Sequence, residues 1–266
     1  MNAPERNFLP DIQASPDHRR LAIQQVGVKG LRYPLVLLDA SGEAHPTVAT
    51  LAMSVGLAPE VKGTHMSRFV ELLEMPREAL TLAGVRQMLQ QMLARLQATS
   101  GRIEMRFPYF IRKAAPVSGV ESLLDIDAAI EVERGPGGAI ETTLSATVPV
   151  TSLCPCSKEI SDYGAHNQRS HISLRAALRA DMDIEQLVRI AEDEASCEVF
   201  GLLKRPDEKW VTERAYDNPK FVEDLVRDIA LRLRAERRIA AWSVASENFE
   251  SIHNHSAYAL IEGSNA

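Results

Sequence analysis

Hydrophobic residues alternate with polar ones in several stretches of the chain, the signature of strands, whose successive side chains point to opposite faces. Leu21 to Val28 and Val48 to Val55 read this way, the second through Ala49, Leu51, Met53 and Val55. The period then lengthens. Ser67 reads as the N-cap of a short helix containing Phe69, Leu72 and Leu73, and Val85, Met88, Leu89, Met92, Leu93 and Leu96 form the stripe of a longer one. Strands return at Ile103 to Phe107 and around Ile126 to Val132.

Beyond the turn residues Gly135-Pro136-Gly137-Gly138 the same order repeats. Leu144, Ala146, Val148 and Val150 alternate with polar neighbours, as do Ile172, Leu174, Ala176 and Leu178. A helix opens at Asp183 with Gln186 three residues on and buries Ile184, Leu187, Val188 and Ala191. Asn218-Pro219 reads as cap and first-turn proline of a second helix with the stripe Val222, Leu225, Val226, Ile229, Leu233. Closing strands fall near Ile239 to Ser246 and Ser256 to Ile261. The order ββααββ thus occurs twice without a residue-level repeat. It predicts an α+β fold with antiparallel sheets and helix pairs on one face, organised as an N-terminal extension (1–18), a first unit (19–134) and a second unit (135–266).

Composition narrows the function. The chain has 266 residues, 45% hydrophobic and 25% charged, with a formal charge of -6 and no basic block beyond Arg232, Arg234, Arg237 and Arg238, so nucleic acid is not an expected partner. No stretch is long and apolar enough to span a bilayer, and the first residues lack a secretory apolar core, which places the protein in the cytoplasm away from membranes. Three cysteines, Cys154, Cys156 and Cys197, make a disulfide framework improbable and leave thiols for metal or catalytic work.

The stretch TSLCPCSKEISDYGAHNQRSH over 151–171 reads as one long loop between two strands and concentrates thiol, imidazole and carboxylate groups. A Cys-x-Cys plus histidine set suits zinc or another first-row divalent ion, and its spacing is not that of a zinc finger. The alternative is a pair of small loop residues flanking a proline. Two further polar clusters break otherwise ordinary secondary structure: Glu208 in KRPDEKW, and His253 and His255 in ENFESIHNHSAY. Cys197 ends a helical stripe and reads as a buried, inert thiol. Glu223 sits in the first turns of its helix, off the apolar stripe, where a carboxylate also complements the helix dipole. Lys158 and Arg169 flank the loop, and Lys62, His65 and Arg68 precede the first helix, so cations are available for a polyphosphate. Neither a P-loop nor a dinucleotide glycine motif is present.

Taken together, LCPCSKEISDYGAHNQRSH, GTHMSRF, IRKAAPVSG, NPKFVED and ESIHNHSAYA resemble the type IB GTP cyclohydrolases over nearly the whole chain. That family makes dihydroneopterin triphosphate at the entry to folate synthesis. The resemblance implies the tunnelling fold, a homotetramer and active sites at subunit interfaces. It implies that Cys154, His166 and Glu208 bind one divalent metal ion, whether zinc, manganese or iron. Cys154, His253 and Glu223 become the catalytic groups, with Glu223 anchoring the purine and Glu250 as the other carboxylate within reach of a guanine edge. Lys158, Arg169, His65, Arg68 and the Arg112-Lys113 pair are the candidate contacts to the triphosphate.

The chemistry asks for such groups. Opening the guanine imidazole ring needs water at C8, which a metal activates near neutral pH, and a proton carrier such as His253 as formate leaves. Two other readings fit less of the chain: a tunnelling-fold nitrile reductase of the deazapurine pathway, with a cysteine nucleophile and NADPH, and a non-catalytic metal- or purine-binding oligomer.

Overall fold

The computed structural model describes residues 13, 15–75, 79–135 and 137–265. The extension expected over 1–18 lies largely outside the described residues, as does Pro136.

Long alternating strands explain the architecture. Strands β1 (Ile23–Leu38), β2 (Ala44–Leu57), β3 (Gly101–Ala114), β4 (Glu121–Arg134), β5 (Ile140–Leu153), β6 (Asn167–Leu178), β8 (Ile239–Asn248) and β9 (Ala257–Ser264) form one sheet in the order β1-β2-β3-β4-β5-β6-β8-β9. Every pairing is antiparallel, and the short β7 (Cys197–Glu198) adds to β5. The helices are α1 (Ser67–Leu73), α2 (Leu82–Leu96), α3 (Pro155–Ile160), α4 (Ile184–Glu194), α5 (Arg205–Asp217) and α6 (Val222–Ala235). The element order repeats as read from the sequence, with α3, β7 and α5 added to the second half.

One face of the sheet carries Leu51, Met53, Ile103, Met105, Ile130, Leu144, Ile172 and Val244, all buried against Phe69, Val85, Leu89, Leu187, Val226, Ile229 and Leu233 of α1, α2, α4 and α6. The residues between them face the other way and are small or polar. There Glu131 of β4 receives Arg102 of β3 at 2.6 Å and Arg175 of β6 at 3.2 Å, a span of four strands. Contacts that join the halves include a bidentate pair of Arg86 of α2 with Asp181, at 2.8 Å to each oxygen, and the Ala40 amide, which donates to Asp183 at 2.9 Å.

Four sequence expectations change. The stretch 151–171 is not one loop. β5 runs on to Leu153, α3 follows, and β6 already begins at Asn167, opposite Leu153. KRPDEKW does not interrupt secondary structure but opens α5. Asn218 closes α5 rather than starting α6, because its side-chain amide donates to the Ala195 carbonyl at 2.8 Å; α6 starts at Val222 with Phe221 as N-cap. Ser67 is the first residue of α1, and Met66 occupies the cap. The strands also run longer than read, β1 reaching Leu38.

The register gives the sheet two functional ends. At the upper end lie the close of β5, the start of β6, the β3–β4 turn and the β8–β9 connection. At the lower end β2 finishes and β3 begins, Val55 standing opposite Gly101. A strand of fourteen residues, such as β2, separates the two ends by roughly 40 Å.

Candidate active site

Cys154 follows directly on β5 and caps α3. Its sulfur accepts from the Ser157 amide at 3.4 Å, and its own amide donates to the His166 carbonyl at 3.2 Å. The Ser157 hydroxyl donates to the Cys154 carbonyl at 3.1 Å and accepts from the His166 amide at 3.2 Å. These bonds clamp Cys154 to His166 although twelve positions separate them. The clamp forms because β5 and β6 pair up to Leu153 and Asn167, so the two residues lie one step beyond the last ladder pair.

The His166 ring is oriented by its neighbours. Nδ1 lies 3.1 Å from Gln168 Oε1 and 3.1 Å from Ser251 Oγ. A proton on Nδ1 satisfies both oxygens and leaves the Nε2 lone pair for a ligand, the arrangement by which partners of a ligating histidine fix its tautomer. Gln168, buried on β6, and Ser251 carry no signal in the sequence pattern. Ser251 also brings the segment bearing His253 and Glu250 to His166. There the rings of His253 and His255 stack, centroids 5.1 Å apart, both exposed.

Beneath the site the strands pair through buried polar groups. Ser170 donates to Ser152 at 2.8 Å, and the Leu153 amide donates to Ser196 at 3.1 Å. Cys197 sits on β7 opposite Thr151, and burial, reinforced by Glu198, pushes its thiol up to about 11. It therefore stays protonated and unreactive. Cys156 is exposed on α3.

Helix α5 reaches the site through a small apolar cluster, in which Ala215, Trp210 and Val211 meet Leu153, Cys197 and Ala165, neighbours of Cys154 and His166. Glu208, in its first turn, is exposed. Asp207 beside it is fully buried. Burial opposes its charge, yet hydrogen bonds from the Ser118 hydroxyl and from the amides of Ser118, Lys204 and Val117 outweigh that cost and hold the carboxyl far below the usual carboxylate range. α6 is tied in by the Lys220 amide, which donates to the Leu153 carbonyl at 3.1 Å, and exposed Glu223 follows in its first turn.

Not every sequence candidate converges here. The donor atoms of Cys154, His166 and Glu208 do not all lie within 4.8 Å of one another; the grouping that does, among the described residues, is Asp39, Glu43 and His45. That set belongs to the β1–β2 turn, where Asp39 accepts from the Ser41 hydroxyl at 2.7 Å and the Glu43 amide at 2.8 Å, and His45 Nε2 meets the Tyr109 hydroxyl at 3.1 Å. Lys113 is buried against Glu192 at 2.7 Å and Glu198 at 2.5 Å, so its charge is spent inside the protein. Arg112 is exposed, 3.6 Å from Glu121. Lys158 donates to the Tyr216 carbonyl and lies over the Tyr216 ring, beside the site, and Arg169 is exposed on β6. His65 and Arg68 lie elsewhere: Arg68 donates to the Arg95 carbonyl at 3.1 Å, at the lower end where α2 finishes.

Comparison with known proteins identifies the fold and the family. The urate oxidase of Bacillus sp. TB-90 superposes with a TM-score of 0.50 at 9% identity, covering 92% of this chain and 100% of that one, which shows the tunnelling fold. A GTP cyclohydrolase FolE2 of Dechloromonas aromatica is 73% identical over 265 residues, 100% of both chains, and one of Cupriavidus metallidurans is 62% identical over 254 residues, 96% of this chain and 94% of its own. The model of the family described as type I GTP cyclohydrolase FolE2 matches residues 9–259. By fold, full-length similarity and this family match, the chain belongs to the FolE2 family of type I GTP cyclohydrolases.

Proposed function

We propose that the chain converts GTP and water to 7,8-dihydroneopterin triphosphate and formate, the first step of tetrahydrofolate synthesis, at the upper end of its sheet. The observation that carries this reading is the clamp of Cys154 to His166, with the imidazole Nδ1 engaged by Gln168 and Ser251. A thiolate and an imidazole Nε2 at adjoining backbone positions, with the Glu208 carboxylate on the helix packed beside them, form a donor set that suits zinc, manganese or iron. A metal held by these residues would supply hydroxide near neutral pH by lowering the pKa of its bound water.

The protein's own groups do the rest. His253, on the connection that Ser251 anchors to His166, exchanges protons as the imidazole ring opens at C8 and formate leaves. Glu223, two residues into α6, accepts from guanine N1–H and the 2-amino group, with Glu250 the next carboxylate available. Lys158 and Arg169 flank the pocket and offset the triphosphate charge.

His65 and Arg68 enter differently. They stand at the lower end, far from Cys154 in the same chain, so they reach a triphosphate only in a neighbouring copy. This supports a homo-oligomer, read as a homotetramer, with sites shared between subunits. Arg68→Ala and Cys154→Ala subunits, each inactive alone, are then expected to regain part of the activity when assembled together. Mixed assemblies as inactive as their parents would place each site within one subunit.

No helix among the described residues is long and apolar enough to cross a membrane, and the cytoplasm, where GTP is available, is the proposed location. Chelation followed by restoration of metal tests the function. Turnover of GTP should vanish in chelated protein and return with zinc or manganese. Full activity without metal, or a requirement for NADPH, would replace this reading with cysteine-based chemistry.

A further inference from the structure

Asp207 is the fully buried carboxylate at the N-terminal end of α5, one residue before Glu208. Oδ2 accepts from the Lys204 amide at 2.8 Å, the reach-back bond of a helix's third residue to its cap. Capping explains that bond alone. Oδ1 accepts from two consecutive amides, Val117 and Ser118, each at 2.8 Å, and Oδ2 also receives the Ser118 hydroxyl at 2.6 Å. These three donors belong to the β3–β4 turn of the first half, about ninety positions earlier. The turn is shaped to present them: the Ala115 amide donates to the Val120 carbonyl at 2.9 Å, and Gly119 holds φ +68°, a conformation that glycine adopts without strain.

The rest of α5 is held by the apolar cluster next to Cys154 and His166, through Trp210, Val211 and Ala215. Asp207 fixes the remaining, first turn, the one that bears Glu208. Glu208 itself is exposed and has no ion pair among the described residues. We propose that Asp207 is a positioning residue for Glu208: by clasping the Val117–Ser118 turn it holds the first turn of α5 where the Glu208 carboxylate meets a metal bound to Cys154 and His166. A buried carboxylate without a cationic partner is costly unless its donors are complete, and here four donors from two distant segments supply them. The proposal rests on Glu208 being a metal donor.

The test is a double-mutant cycle read by cobalt(II) binding to the purified full-length protein, followed by the thiolate-to-cobalt absorption of Cys154 and the ligand-field bands. Asp207→Ala should weaken cobalt binding about 10- to 100-fold, the usual effect of removing a group that orients a ligand. It should keep the thiolate band and alter the ligand-field bands. In a Glu208→Gln background the same change should weaken binding less than about twofold, because the group it positions is already gone. Ser118→Ala, which removes one of the four donors, should show a smaller loss with the same dependence on Glu208, and it carries the cycle should Asp207→Ala fail to fold. Equal losses with and without Glu208 would make the clasp purely structural and overturn the proposal. Unchanged affinity in Glu208→Gln alone would overturn the ligand reading beneath it instead.

Discussion

Cys154→Ala and His166→Ala are each expected to lose bound metal and GTP turnover together, while Cys156→Ala and Cys197→Ala retain most of both. The difference follows from position. Cys154 and His166 are locked to each other by the Ser157 hydroxyl and by the Cys154 amide, so removing either side chain leaves one strong donor where two were prearranged. Cys156 is exposed on α3, two residues beyond Cys154. Cys197 is buried with its thiol pushed up to about 11 and is a poor ligand and a poor nucleophile. Metal stoichiometry and turnover measured on the four variants check this. Metal loss from Cys156→Ala equal to that from Cys154→Ala would mean that the other cysteine of the pair is the ligand.

Glu223→Gln separates a substrate anchor from a surface charge. A helix-dipole partner at an exposed N-terminal turn contributes about 0.3 to 1 kcal/mol to stability, and its loss leaves kinetics nearly unchanged. A carboxylate that accepts from guanine N1–H and the 2-amino group is different, because glutamine turns an amide NH2 toward one of those donors. An unpaired buried donor costs about 1 to 3 kcal/mol, so kcat/KM for GTP should fall at least tenfold. Metal content and melting temperature should stay close to the parent's. Parental kinetics in Glu223→Gln would move the anchoring role to Glu250.

The duplicated element order was legible because its strands alternate cleanly and its main helices carry full apolar stripes. Helix α5 was not, for a physical reason: only Asp207 and Ala215 among its thirteen residues are buried, so no stripe announces it. Asn218-Pro219 has the composition of a helix start, yet tertiary context spends the Asn218 side chain on the Ala195 carbonyl. The cysteine and the histidines were recognisable as residue types in a suggestive order. What pattern could not supply was the orientation of His166, since Gln168 is an ordinary strand residue and Ser251 lies 85 positions away. The separation of His65 and Arg68 from Cys154 was equally hidden, because it follows from strand register and not from spacing along the chain.

The most direct test of the account is to follow the guanine C8 atom. With GTP labelled with carbon-14 at C8 and metal-reconstituted protein, the label should appear entirely as formate, one for each dihydroneopterin triphosphate detected as fluorescent pterin after oxidation. Label retained in the nucleotide or in the pterin would contradict ring opening at C8 and, with it, the function assigned to this site.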